Sequence, residues 1–221
     1  MSTTISNPPS PTTLLPPFSH TRLPFYCEES VHKLLTANVP KSELPAWTVV
    51  FVLGTGPNYA PLYHQRAALP GVLMPVFWDY HVFAIRRDPN PCPPPSCSTS
   101  SSPGGGGGGK DSGGQACVYD YDSHLQDLHP PHGLPFEDYA LQTFYRGEDL
   151  RYDEPRRQML ARAPRLFRVV GARQYLEAFA SSRADMLAVN EQGEEVYVKP
   201  PPSSPPIVNK CKSAPGIVTP L

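Results

Sequence analysis

Residues 76–85 read VFWDYHVFAI. Aromatic and β-branched side chains dominate the run, which predicts a strand. Strand alternation puts Phe77, Asp79, His81, Phe83 and Ile85 on one face and Val76, Trp78, Tyr80, Val82 and Ala84 on the other. An imidazole in such a setting must be hydrogen-bonded, because burying it without a partner costs several kcal/mol. Upstream, WTVVFVL at 47–53 is a continuous apolar run closed by Gly54, Gly56 and Pro57, as expected of a strand covered on both faces. Downstream, CVYDYD at 117–122 reads as a strand antiparallel to 76–86. Asp120 and Asp122 then share a face beside His81, and either could reach the imidazole.

The two strands are separated by DPNPCPPPSCSTSSSPGGGGGGKDSGGQ at 88–115. This composition cannot bury enough surface to offset its ordering entropy, so it is expected to be a disordered insertion in a hairpin loop. Loop length enters closure entropy only logarithmically, and an insertion here is cheap. The six glycines at 104–109 lack the Lys-Ser/Thr of a phosphate-binding loop. Residues 1–24, rich in Pro, Ser and Thr, are expected to form an N-terminal arm, and the domain is expected to run over 25–207. Helices are predicted from Cys27 (CEESVHKLLTANV), over 134–145, near 154–162 and over 172–180. LFRVV at 166–170 is predicted as a further strand. The proline segment at 199–206 reads as extended chain and 208–221 as an irregular tail. The fold class is α/β of the α+β type, with a mainly antiparallel sheet flanked by helices.

The chain has 221 residues, enough for one domain, and its 30 prolines are well above average usage. A net charge of −1, from 19 basic and 20 acidic residues, offers no electrostatic footprint for nucleic acid or an acidic membrane. No apolar stretch approaches the roughly 18 residues that span a bilayer, and no signal-peptide pattern opens the chain. The five cysteines, Cys27, Cys92, Cys97, Cys117 and Cys211, are odd in number and irregularly spaced, which argues for a reducing compartment. Cys92 and Cys97 lack a second ligand pair for zinc, and His124, His129 and His132 lie in a stiff Pro-containing loop without a carboxylate array. No metal site is expected.

Cys27 stands where a helix begins, and there unpaired N–H groups and the helix dipole favour a thiolate and can hold an oxyanion. Buried as a small apolar side chain, it would be inert. A helix-start cysteine followed by His and Asp on neighbouring strands is the order found in papain-like and transglutaminase-like enzymes.

Four segments, FYCEESVHKLL (25–35), PVFWDYHV (75–82), VYDYDS (118–123) with LPFEDY (134–139), and FRVVGARQYLEAFASSRADM (167–186), resemble the protein N-terminal glutamine amidohydrolase family, deamidases of the N-degron pathway. The resemblance implies Cys27 as nucleophile, His81 as general base and acid, and Asp120, the first acid of Tyr-Asp-Tyr-Asp, as the group that orients His81. It implies a papain-like or transglutaminase-like fold. The implied reaction has no cofactor and converts N-terminal glutamine in proteins and peptides to glutamate and ammonia through a thioester. It also implies a monomer in the cytoplasm and nucleus that meets substrates with a free N-terminal Gln and other N-degron enzymes. Such a substrate carries an ammonium group, for which Glu28, Glu29 and Asp79 are the candidate acceptors, with Trp78 beside them. Relatives continue beyond the proline run with a closing segment, which this chain is expected to lack. A non-catalytic interaction protein and a thiol peptidase or transglutaminase are the competing readings.

Overall fold

The computed structural model describes residues 22–54, 59–69, 74–87, 116–128, 133–144 and 165–208. The run at 47–53 forms strand β1 (Trp47–Leu53). It lies inside a five-stranded sheet with β4 (Tyr80–Arg87), β5 (Ala116–Tyr119), β6 (Leu134–Pro135) and β7 (Leu166–Gly171), in the order β6-β5-β4-β1-β7. All its pairings are antiparallel. The register sets Val52 opposite His81, and Ala84 opposite Tyr119.

Both faces of β1 are covered, which explains its unbroken apolar sequence. Val49 and Phe51 pack with helix α1 (Cys27–Ala37), through Val31, Leu34 and Leu35, and with α3 (Ala172–Ala178), through Ala172, Tyr175 and Ala178. Val50 and Val52 join Phe83, Val118, Leu125 and Tyr139 on the other side, where α2 (Phe136–Phe144) sits. The spacing of Val31, Leu34 and Leu35 makes α1 amphipathic, and its acids Glu28 and Glu29 lie in the first turn where the dipole favours them. Gly133 has φ of 75°, and a Cβ there would come within 2.9 Å of the Tyr119 ring and the Val118 carbonyl oxygen, so only glycine lets β6 approach β5.

The strand predicted over 76–85 is broken. Val76–Trp78 is a separate short strand, β3, paired with β2 (Ala60–Leu62), and β4 starts at Tyr80. At the break, Asp79 Oδ1 accepts the Tyr80 backbone N–H at 2.9 Å, the kind of local bond by which aspartate competes with a sheet ladder. The alternation is reset there. Asp79 is exposed rather than on the buried face of His81, whereas Trp78, predicted on the opposite face, stacks on the His81 ring with centroids 5.4 Å apart. β5 likewise ends at Tyr119, because Asp120 Oδ1 accepts the Asp122 N–H at 3.0 Å and turns the chain.

Arg22–Pro24, assigned by sequence to the arm, already make contacts: Arg22 reaches Asp122, and the Leu23 N–H donates to Ser30 Oγ at 2.8 Å. Beyond α3, a hairpin of β8 (Leu187–Val189) and β9 (Glu195–Tyr197) was not foreseen. The proline segment returns to the body, with Ser181 and Ile207 exchanging hydrogen bonds of 2.9 and 2.7 Å. The insertion at 88–115, the helix predicted near 154–162 and the tail after 208 lie outside the described residues. So do Cys92, Cys97, Cys211, His129 and His132. No described helix is long and apolar enough to cross a membrane.

Candidate active site

His81 is buried at the start of β4, and its Nε2 lies 2.9 Å from Asp120 Oδ1. Of the two acids left open by alternation, Asp120 therefore holds the imidazole. Asp122 instead faces Arg22, whose Nε and Nη2 lie 3.1 and 3.0 Å from its Oδ1. The Asp120 carboxylate is fully engaged. Oδ1 also accepts the Asp122 N–H, while Oδ2 accepts the Tyr139 hydroxyl at 2.8 Å and Gln65 Nε2 at 3.3 Å. The Asp120 N–H donates to Gln126 Oε1 at 3.1 Å. Burial acts to raise the Asp120 pKa, but the His81 charge and these donors outweigh it and hold the carboxyl below its ordinary value. For His81, burial is the largest single influence and acts downward, but the charge and hydrogen bond of Asp120, joined by the charges of Asp122 and Glu28, together outweigh it, so the imidazole sits above its ordinary value. Nδ1 of His81 has no hydrogen-bond partner among the described residues.

Cys27 is the first residue of α1 and is 5% exposed. Its Sγ donates to Glu28 Oε2 at 3.5 Å. The helix start was expected to favour a thiolate, but burial, followed by the charges of Glu28 and Asp122, pushes the thiol pKa well up. The Val82 backbone N–H opposes this too weakly to reverse it. In the free chain the nucleophile candidate is thus a neutral thiol bonded to a neighbouring acid and facing the backbone of Val82, the residue that follows His81 on β4.

The other sequence candidates separate cleanly. Glu29 is buried and committed to Arg183, with Nε and Nη2 each 2.8 Å from its two carboxylate oxygens. Arg183 Nη2 also donates to the Ser204 carbonyl at 2.9 Å, and the guanidinium lies over the Tyr26 ring, so this pair anchors the start of α1 to the returning proline segment. Asp79 is exposed. Trp78 stacks on His81, and its Nε1 has no partner among the described residues. Glu28 is buried with the thiol, and burial pushes its carboxyl up to about 7 against the pull of its own backbone N–H, Cys27 and Tyr80. No group of three or more His, Cys, Asp and Glu residues among those described could hold a metal ion.

Gln65, Gln126, Tyr139 and Arg183 escaped the sequence reading. Gln65 and Tyr139 lie 55 and 19 residues from Asp120; Tyr139 closes the LPFEDY segment quoted above but was given no role there. Cys27 lies beside Val82, the residue that follows His81 on β4, and His81 is bonded to Asp120, so the three candidate residues of the sequence reading fall in one corner.

A family model described as N-terminal glutamine amidase matches residues 22–215. A protein N-terminal glutamine amidohydrolase of Caenorhabditis briggsae is 33% identical over 189 residues, covering 85% of this chain and 77% of the relative. One of Drosophila mojavensis is 32% identical over 186 residues, covering 83% and 70%. One of Arabidopsis thaliana is 30% identical over 194 residues, covering 85% and 68%.

Proposed function

The chain belongs to the N-terminal glutamine amidase family, and from that premise we propose that it hydrolyses the side-chain amide of N-terminal glutamine, giving N-terminal glutamate and ammonia. The observation that carries the mechanism is the buried His81–Asp120 pair one residue from the Val82 N–H that faces the Cys27 thiol. Substrate binding turns Sγ from Glu28 toward His81 Nδ1, the ring atom left without a partner. His81 takes the thiol proton there, and Asp120 holds Nε2–H and stabilises the imidazolium. The thiolate attacks the amide carbon, a C–S bond forms, and the carbonyl electron pair moves to oxygen. The Cys27 backbone N–H, in the open first turn of α1, steadies that oxyanion. His81 then returns the proton to the leaving nitrogen, the C–N bond breaks, and ammonia departs from a glutamyl thioester. Water, deprotonated by the same imidazole, cleaves the C–S bond and the thiol is restored.

We read the helix-borne Cys with His on β4 and Asp just past the end of the adjacent β5 as a papain-like or transglutaminase-like arrangement, and the chain as acting alone. The N-degron role and the cytoplasmic and nuclear location accompany this reading and rest on the family resemblance. The test is ammonia release from a Gln-starting peptide by the purified chain and by Cys27→Ala. Turnover by the former and none by the latter is expected, whereas equal rates in both would remove Cys27 from the mechanism.

A further inference from the structure

Four carboxyl side chains are buried among the described residues: Glu28, Glu29, Asp120 and Asp122. Three face a cation. Arg183 grips Glu29 through two bonds of 2.8 Å, His81 bonds Asp120 at 2.9 Å, and Arg22 bonds Asp122 at 3.0 Å. Glu28, 3% exposed, has none. Its partners are the Cys27 thiol, the Tyr80 side chain and its own backbone N–H. A buried carboxylate without a counter-charge is expensive, and the neighbouring Glu29 shows how this chain satisfies one when the purpose is structural.

We propose that Glu28 is the receptor for the α-ammonium group of the substrate's N-terminal residue, and that filling it readies the adjacent thiol for attack. This rests on the amidohydrolase reading above and names the group that makes it specific for a free N-terminus. The reach is right: the glutamine amide carbon is four bonds from the α-nitrogen, a span of at most about 5 Å. An ammonium bonded to Glu28 therefore leaves that carbon within contact of Sγ, which lies 3.5 Å from Oε2. In the free chain the Tyr80 side chain occupies the ammonium's place on the carboxyl. The coupling follows from charge. Glu28 is the largest single charge holding the Cys27 thiol protonated, and an ammonium on Glu28 cancels it, so the thiolate forms when the correct substrate is present.

The experiment compares ammonia release from two otherwise identical peptides, one with free and one with acetylated N-terminal Gln, by the wild-type chain, Glu28→Gln and Tyr80→Phe. Glu28→Gln keeps the size and the acceptor oxygen but removes the charge. The wild-type preference for the free peptide should collapse by about 100-fold or more in this variant, since a site built for a charged partner rejects analogues through unpaired groups. Alkylation of Cys27 by iodoacetamide at neutral pH should meanwhile become faster by about tenfold, the effect of one pKa unit. Tyr80→Phe, which removes the competing hydroxyl, should lower KM for the free peptide and leave the acetylated one unchanged, and it decides the matter if Glu28→Gln does not fold. A folded Glu28→Gln with an undiminished free-over-acetylated preference, or a Tyr80→Phe chain in which both peptides shift together, would overturn the receptor while leaving the amidohydrolase intact. Failure of the wild-type chain to release ammonia from either peptide would overturn both.

Discussion

β5 and β7 both flank the central pair β4–β1, yet the sheet treats them in opposite ways. β5 is buried along most of its length and delivers the chain directly into Asp120, beneath the α2 side of the sheet. β7 carries Leu166, Phe167 and Val169, side chains as apolar as any in the core, and each is more than half exposed. The lesson is that an apolar pattern reports willingness to be buried, whereas a satisfied polar network reports where burial was achieved. Asp120 sits without exposure because His81, Tyr139, Gln65 and the Asp122 N–H complete the bonds of its carboxylate. Removing one of these donors would leave a buried carboxylate oxygen short of a partner.

Changing the polar corner should therefore have the largest effect. Asp120→Asn is expected to lower ammonia release by about 10³–10⁴-fold, the scale on which a triad loses its orienting carboxylate. Asp122→Asn should lower it by no more than about tenfold, since Asp122 bonds Arg22 and not His81. Comparable losses in steady-state assays of the two would mean that the corner is not organised around Asp120.

The same pair predicts how stability varies with pH. Asp120 lies below its ordinary carboxyl value, so its contribution is present above that value and fades as pH falls through the folded one. His81 lies above its ordinary value, so its contribution is complete below about 6.5 and fades as pH rises through the folded one. Urea unfolding followed from acid to alkaline pH should thus show a maximum between the two, and Asp120→Asn should flatten it. An unchanged profile in the variant would place the pH dependence elsewhere.

A single substitution made on neighbouring strands gives the smaller effects. Val49→Thr on β1, where the side chain is 0% exposed, should cost about 1–3 kcal/mol for an unpaired buried hydroxyl. Val169→Thr on β7, 64% exposed, should stay within about 0.5 kcal/mol. Equal midpoint shifts in chemical unfolding would show that β7 is covered in solution.

Legibility in the sequence followed the range of the interaction concerned. β1 was readable because seven consecutive residues carried one message, and α1 because Val31, Leu34 and Leu35 share a stripe. His81 announced a need for a partner, and the strand beyond supplied two acids. The break at Asp79 was hidden because the apolar alternation runs straight through it, while one side-chain bond to the next N–H overrides the pattern. Gln65 and Tyr139 were unreadable because neither differs locally from a surface glutamine or a core tyrosine. Their roles exist only once chain segments 55 and 19 residues away converge on Asp120. The distinction between Glu28 and Glu29, adjacent and identical, depends wholly on an arginine 154 positions from the second of them.

That arginine has a consequence in time. The start of α1 is held by Arg183 on Glu29, by the Tyr175 hydroxyl on the Glu28 carbonyl, 147 residues apart, and by the Tyr26 hydroxyl on the Lys199 carbonyl, 173 residues apart. At a synthesis rate of about 5–20 residues per second, the helix that bears Cys27 emerges from the ribosome about 7–35 s before the residues that fasten it. Through that interval Glu29 stays hydrated and the helix start remains unanchored. The corner around Cys27 is thus made well before the residues that give it its final form.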